Sequence, residues 1–215
     1  MKKILILCFA VISLLLVSCG GDSNTSSEKE TQIELTTDHG VIVLKLYNET
    51  PKHRDNFIAL VKEGWYEGSP FHRIINEFMI QGGGNADGTE DKDYTVDAEI
   101  LPQLFHKKGA LAAARMGDHV NPLRASSASQ FYIVHGRVFA ENELIMFEAR
   151  TGNVFTEEQK EIYKTIGGTP HLDGAYTVFG EVVSGLDVVD KIAAVKTAMG
   201  DKPVEDLKMS IKIIE

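Results

Sequence analysis

From Thr31 onward the apolar residues come in short runs, many with a period of two, and the runs are stopped by Gly, Pro, Asn or Asp. Side chains alternate between the faces of a strand, so such runs predict strands rather than helices. T-Q-I-E-L-T and V-I-V-L-K-L-Y, separated by Asp38-His39-Gly40, predict a hairpin. Tyr176 to Val183 predicts another strand. Leu207, Met209, Ile211 and Ile213, alternating with Lys208, Ser210, Lys212 and Ile214, predict the last one. Two segments have helical spacing instead. One runs from Thr50, a candidate N-cap, through Pro51 and the stripe Phe57, Leu60 and Val61 to a stop at Gly64. The other starts at Leu186 and carries Val188, Val189, Ile192 and Val195. Residues 136–170 read as a helical insertion, with a capping box from Thr156 to Gln159 and Ile162 and Ile166 four apart. A mainly β chain with two capping helices predicts a closed barrel, because closure removes exposed strand edges.

The chain has two cysteines, Cys8 and Cys19, so nothing after position 19 can form a disulfide or a thiolate metal site. Stability must come from a packed core, and the length suits one domain burying roughly 70 % of its unfolded surface. Lys2 and Lys3 precede an apolar stretch from Ile4 to Val17 that is too short and too early for a comfortable membrane span. Residues 1–18 therefore read as a signal peptide. Leu16-Val17-Ser18-Cys19 followed by Gly20 resembles a bacterial lipobox, in which Cys19 would be lipidated and become the first mature residue. An ordinary secretory signal with a chance Cys, or an uncleaved anchor, is the alternative. Residues 19–30 lack any large apolar side chain and read as a flexible linker reaching about 20 Å. These readings place a globular domain, 31–215, in a bacterial cell envelope, held to a membrane by its lipid on the periplasmic side or at the cell surface.

Without residues 1–18, which hold two Lys and no acid, 20 basic and 31 acidic side chains remain, a net charge of −11. Nucleic acid is thereby excluded as a partner, since phosphate binding needs clustered Lys and Arg. No nucleophile motif accompanies His72 or His135, and neither sits in a metal-spaced cluster, which disfavours a hydrolase. Nothing in the sequence demands more than a monomer.

The stretch richest in chemistry is F-H-R-I-I-N-E-F-M-I-Q-G-G from Phe71. Strict alternation puts Arg73 on the same face as Phe71 and Ile75, an apolar face where a permanently charged guanidinium needs a reason. S-Q-F-Y-I-V follows at Ser129, and H-L-D-G-A-Y-T-V-F-G-E-V at His171. These three segments, in this order, resemble the cyclophilin family over essentially 31–215 apart from the insertion.

The resemblance implies an eight-stranded antiparallel barrel and peptidyl-prolyl cis-trans isomerase activity on proline-containing polypeptides, without metal or cofactor. It makes Arg73 the catalytic arginine, with Gln81 holding the substrate beside it. Phe78, Met79, Tyr132 and Leu172 would line the slot for the proline ring. Gln130 would add a hydrogen bond, and Ala114 and Arg115 would bind the peptide as an extra strand. His171 stands where many members carry Trp, which implies weak cyclosporin binding with activity retained. Tyr176 replaces a common His and Tyr132 a common Phe, each adding a hydroxyl. The competing reading is a non-catalytic proline-peptide-binding chaperone module of the same fold.

Overall fold

The computed structural model describes residues 29–214. The expected signal peptide, the lipidation site at Cys19 and nearly all of the linker lie outside the described residues. Among those described, no helix is long and apolar enough to cross a membrane.

The predicted hairpin forms from β1 (Gln32–Thr37) and β2 (Gly40–Leu46), in register from Gln32 opposite Lys45 to Thr37 opposite Gly40. After it come α1 (Pro51–Glu63) and the short strands β3 (Ser69–Pro70), β4 (Arg73–Ile75), β5 (Met79–Gly82) and β6 (Thr95–Val96). Next are β7 (Ala110–Ala113), β8 (Ser126–Ser127) and β9 (Phe131–Val134). The insertion holds α2 (Glu141–Thr151) and α3 (Glu157–Thr165) and re-enters through a single 3₁₀ turn, Pro170–Leu172. The chain closes with β10 (Val178–Ser184), α4 (Leu186–Ala193) and β11 (Lys208–Ile213).

One antiparallel sheet of nine strands, in the order β3-β11-β1-β2-β10-β7-β9-β5-β4, curls around the core, and β6 pairs separately with β8. This corrects the expected closed barrel of eight strands: the edge strands β3 and β4 share no ladder, so the sheet is an open half-barrel. The edges are nevertheless consecutive in the chain. Phe71 N–H donates to Leu207 O (2.9 Å) and His72 N–H to Gln81 O (3.0 Å), so two residues of covalent chain join the edges.

Inside lie Ile33, Leu35, Leu44, Phe71, Ile74, Ile80, Phe131 and Ile133, joined by Phe57 and Leu60 of α1 and Val189 and Ile192 of α4. Full burial of a side chain such as Phe57 or Leu60 stabilises by about 1.5–3 kcal/mol, which is what docks the two helices. Gly64 ends α1 in the left-handed conformation, as expected. Thr50 does not cap it. Its side chain makes no capping bond, and the Glu99 carboxylate accepts from the backbone N–H groups of Lys52 (3.1 Å) and His53 (3.0 Å) instead. A carboxylate there also suits the positive end of the helix dipole.

The central strands bury both faces. In β9, Phe131 and Ile133 enter the main core, whereas Tyr132 and Val134 join a second cluster with Met79, Ala112 and Val178. The insertion has a third, made of Phe139, Leu144, Phe155 and Tyr163. Its capping box is present, with Gln159 N–H donating to Thr156 Oγ1 and Thr156 N–H to Gln159 Oε1. The buried face of α3 is Gln159 and Tyr163, however; Ile166 is half exposed, because the helix turns its aromatic to the barrel rather than its isoleucines.

Candidate functional site

Cross-strand pairing builds the site. Arg73 on β4 lies opposite Gln81 on β5, Gln81 opposite Tyr132 on β9, and Tyr132 opposite Ala112 on β7. Directly opposite residues share a face, so the row puts Arg73, Gln81 and Tyr132 side by side on the outer surface of the sheet. The strand is interrupted at residues 71–72. Phe71 and Ile74 therefore point inward while Arg73 and Ile75 point outward, which corrects the expectation that Arg73 shares a face with Phe71. The charge never meets the barrel core. Gly83 lets the chain leave β5: its φ is +99°, and a Cβ there would strike the Ser129 carbonyl.

A cavity of about 180 Å³ opens on this face. Arg73, Gln81, Ala114 and Arg115 stand around it with Phe78, Met79, Tyr132, Leu172 and Tyr176. Its apolar lining suits a small ring, and the Arg73 guanidinium and Gln81 carboxamide are among the groups that can donate hydrogen bonds to what lies over it. Arg73 is not in a dry pocket. Its side chain is 42 % exposed, and Nε lies 3.4 Å from Asp201 Oδ2. Gln81 Nε2 donates to Gln130 Oε1 (3.3 Å), so Gln130 stands behind Gln81 and faces a neighbouring hollow instead of the cavity itself. His171 also lies outside the cavity; its ring stacks on Phe78 at 5.4 Å and lines a different hollow.

Ala114 N–H donates to Gln130 O (3.0 Å) and its carbonyl accepts from Ser127 N–H (2.8 Å). Both its main-chain groups are engaged, so strand-like pairing with a peptide falls to Arg115. The Arg115 side chain, 4 % exposed, donates to Ala175 O (2.7 Å), pairs with Asp118 (2.6 Å) and covers the Tyr176 ring at 4.5 Å. It holds the wall in place.

One network was not anticipated from the sequence. Asp173 Oδ1 accepts from His106 N–H (2.8 Å) and lies 2.7 Å from its Nδ1, while Oδ2 accepts from the Tyr163 hydroxyl (2.5 Å). In the tautomer that carries its proton on Nδ1, toward Asp173, His106 Nε2 is the acceptor for the Tyr132 hydroxyl at 2.9 Å. Burial holds the Tyr132 phenol well above its ordinary pKa, so it stays protonated. The hydroxyl that distinguishes Tyr132 from Phe is therefore consumed inside the protein. The sequence offered one hint, since Asp173 belongs to the L-D-G segment; His106 stood alone before Lys107-Lys108.

A second buried chain runs from Glu99 through His53 (2.7 Å) to the Ser126 hydroxyl (2.8 Å). The order resembles a nucleophile-activating triad, but the Ser126 hydroxyl is buried and lines neither the cavity nor the hollows beside it, whereas a nucleophile must face its substrate. Among the described residues no group of three or more His, Cys, Asp and Glu side chains is placed to hold a metal.

The profile of the family described as cyclophilin type peptidyl-prolyl cis-trans isomerase/CLD matches residues 32–213. The chain belongs to the cyclophilin-type peptidyl-prolyl cis-trans isomerases. A Staphylococcus saprophyticus protein provisionally named a peptidyl-prolyl cis-trans isomerase is 34 % identical over 192 residues, covering 86 % of this chain and 93 % of that one. A Streptococcus pyogenes protein provisionally named a bifunctional phosphatase/peptidyl-prolyl cis-trans isomerase is 38 % identical over 185 residues. That match covers 82 % of this chain but 37 % of the longer relative. In three dimensions a Cryptosporidium parvum cyclophilin superposes with a TM-score of 0.66 at 24 % identity, over 87 % of this chain and 99 % of that one. The same parasite protein, crystallised in the presence of the dipeptide Ala-Pro, gives 0.65. The cyclophilin fold is thus shared.

Proposed function

We propose that this cyclophilin accelerates rotation about X-Pro bonds in exported polypeptides while held by lipid to a bacterial membrane. The observation that carries the catalytic part is the cross-strand row of Arg73, Gln81 and Tyr132 opening on one small apolar cavity. Rotation about a peptide bond has a barrier of roughly 18–20 kcal/mol because resonance is lost in the twisted state. In that state the prolyl nitrogen becomes pyramidal and its lone pair can accept a hydrogen bond. A guanidinium donor gains little from the planar substrate and more from the twisted one, which is differential binding of the transition state. Phe78, Met79, Tyr132 and Leu172 hold the ring, Gln81 holds the adjoining carbonyl, and Arg73 donates. Asp201 engages Nε, so the terminal nitrogens are the donors presented to substrate. An acceleration of about five decades needs about 7 kcal/mol, a sum that ring binding, carbonyl positioning and one charged donor can reach together.

The test is exchange between cis and trans forms of a short Xaa-Pro peptide, measured with the wild-type protein and with Arg73→Ala. We expect kcat/KM to fall about 10²- to 10³-fold with the fold unchanged by circular dichroism. Equal rates at the uncatalysed level for both proteins would instead make the chain a proline-peptide-binding module without catalysis.

The domain reading extends to the leader: 1–18 as a signal peptide, 19–30 as lipidated Cys19 and linker, and 31–215 as the isomerase domain. Its support is the basic start, the apolar run and the Leu-Val-Ser-Cys sequence. Expressed in a bacterium with labelled palmitate, the full chain should incorporate label and enter the detergent phase. Cys19→Ser should do neither; label retained in that variant would end the lipoprotein reading.

A further inference from the structure

The insertion builds a hollow of about 320 Å³ beside the cavity that holds Arg73. Four rings surround it: Phe78 from the barrel, Phe139 and Phe147 from the insertion, and His171 from the re-entry turn. His171 is stacked between Phe78 (5.4 Å) and Phe147 (6.2 Å), and Phe147 meets Phe139 edge-on at 5.6 Å. Thr169, which is 1 % exposed, also lines the hollow, and its Oγ1 is buried without a hydrogen-bond partner. Buried hydroxyls are nearly always paired, so an orphan one beside an aromatic hollow marks where a ligand's polar atom belongs.

Phe78 lines both spaces, and the Phe78–His171 stack is the partition between them. On the other side, Gln81, Ala114 and Arg115 lead into a third hollow that extends past Met116. The small cavity thus sits between two larger ones, as a slot for one residue of a longer peptide would. The direction of that peptide follows from the sheet, in which every ladder is antiparallel. A peptide paired antiparallel with Arg115 has its N-terminal flank at the Met116 end. Its C-terminal flank then leaves across Phe78 toward the hollow of the insertion.

We propose that this hollow is a specificity subsite for an aromatic side chain, tyrosine best, one or two residues after the substrate proline. The inference rests on the small cavity being the proline slot. The rings supply edge and face contacts to an aromatic body, and Thr169 Oγ1 meets the phenolic hydroxyl. Extended residues are spaced about 3.3 Å apart, so one or two positions beyond the proline span a stack whose ring centroids are 5.4 Å apart.

Cis–trans exchange spectroscopy tests this without a coupling protease, using proline peptides flanked by alanine and carrying Tyr, Phe or Ala at the first or second position after the proline. With wild-type protein, Tyr at its better position should raise kcat/KM about five-fold over Ala. Phe should fall about three-fold short of Tyr. Thr169→Val should erase the margin of Tyr over Phe. Phe147→Ala, or Phe147→Leu if the alanine variant folds poorly, should bring all three peptides within about two-fold of one another. The all-alanine peptide should be turned over alike by all these proteins. No preference for an aromatic in wild type, a preference unchanged by both Phe147 variants, or a preference seen only before the proline would overturn the subsite. Absence of turnover with every peptide would instead bring down the proline slot, and the subsite with it.

Discussion

At the residue scale, motif and local pattern carried different information. The segments around Arg73, Ser129 and His171 indicated which residues gather, and the cavity contains Arg73, Phe78, Met79, Gln81, Tyr132 and Leu172 together. Periodicity alone misplaced Arg73, because the interruption at 71–72 shifts the inward face from Phe71 to Ile74 and no residue type announces that shift. The His106 network was illegible for a similar reason: its members, at 106, 132, 163 and 173, are brought together only by folding. It makes a definite prediction. Tyr132→Phe keeps the ring that faces the cavity but leaves His106 Nε2 buried without its donor. Stability should drop by about 1–3 kcal/mol while kcat/KM stays within roughly three-fold. Chemical denaturation and exchange spectroscopy measure the two quantities independently. A large loss of turnover at unchanged stability would mean that the phenol acts on substrate.

Elements were legible where their signals are local. The capping box of α3 lies within four residues and is present; the hairpin register follows from a short connection. The N-terminus of α1 was misread at its cap because Glu99, 47 residues from Lys52, does the work assigned to Thr50. The same carboxylate holds His53, whose other ring nitrogen meets Ser126, so α1 is fastened through a buried imidazole. Burial pushes the His53 pKa below its ordinary value, Glu99 pulling it up by less and Lys52 adding slightly to the depression. The sign follows directly. Above about pH 6.5 the imidazole is neutral in both states and the fold pays no penalty. Below that value the unfolded chain binds a proton that the folded one resists, so stability is lost as pH falls toward the folded pKa. The melting temperature should therefore drop between pH 7.5 and 5.5, and His53→Gln should show a shallower drop. His72, His135 and His171, also lowered by burial, contribute to the slope that remains. Equal slopes for variant and wild type would remove His53 from the explanation.

For the whole molecule, the β-rich pattern predicted curvature but not how the sheet ends. Closure depends on which strands pair across the seam, and β3 and β4 are too short, at two and three residues, to carry a readable period. The insertion was visible as a helical excursion, and its relation to the barrel decides whether it is an ornament or a part. It has its own small core, and its ends meet: Arg137 and Gly168 exchange hydrogen bonds, at 3.3 Å from Arg137 N–H and 2.9 Å from Gly168 N–H. Both facts describe a unit that can be removed with little strain on the barrel. Its ties to the barrel oppose this: the Tyr163 hydroxyl donates to Asp173, which also holds His106 and through it Tyr132, Asn153 Nδ2 donates to Asp173 O (2.7 Å), Gln159 Nε2 to Pro102 O (3.0 Å), and Lys108 N–H to Gly167 O (2.9 Å). Deleting residues 137–167 and joining Gly136 to Gly168 removes these bonds, of which the one from Tyr163 goes to a charged acceptor. The lost bond to Asp173 is worth about 1.5–3 kcal/mol and each neutral one about 0.5–1.5 kcal/mol, together roughly 10–20 °C in melting temperature for a domain of this size. The shortened protein should still melt cooperatively. It should turn over an alanine-flanked proline peptide within about five-fold of wild type, since Asp173 keeps both hydrogen bonds to His106 and the ring of Tyr132 stays in register. Scanning calorimetry and exchange spectroscopy on the shortened chain check both numbers. A protein without a cooperative transition would show that the barrel depends on the core of the insertion. A cooperative but inactive one would show that Tyr163 acts through Asp173 on the catalytic face.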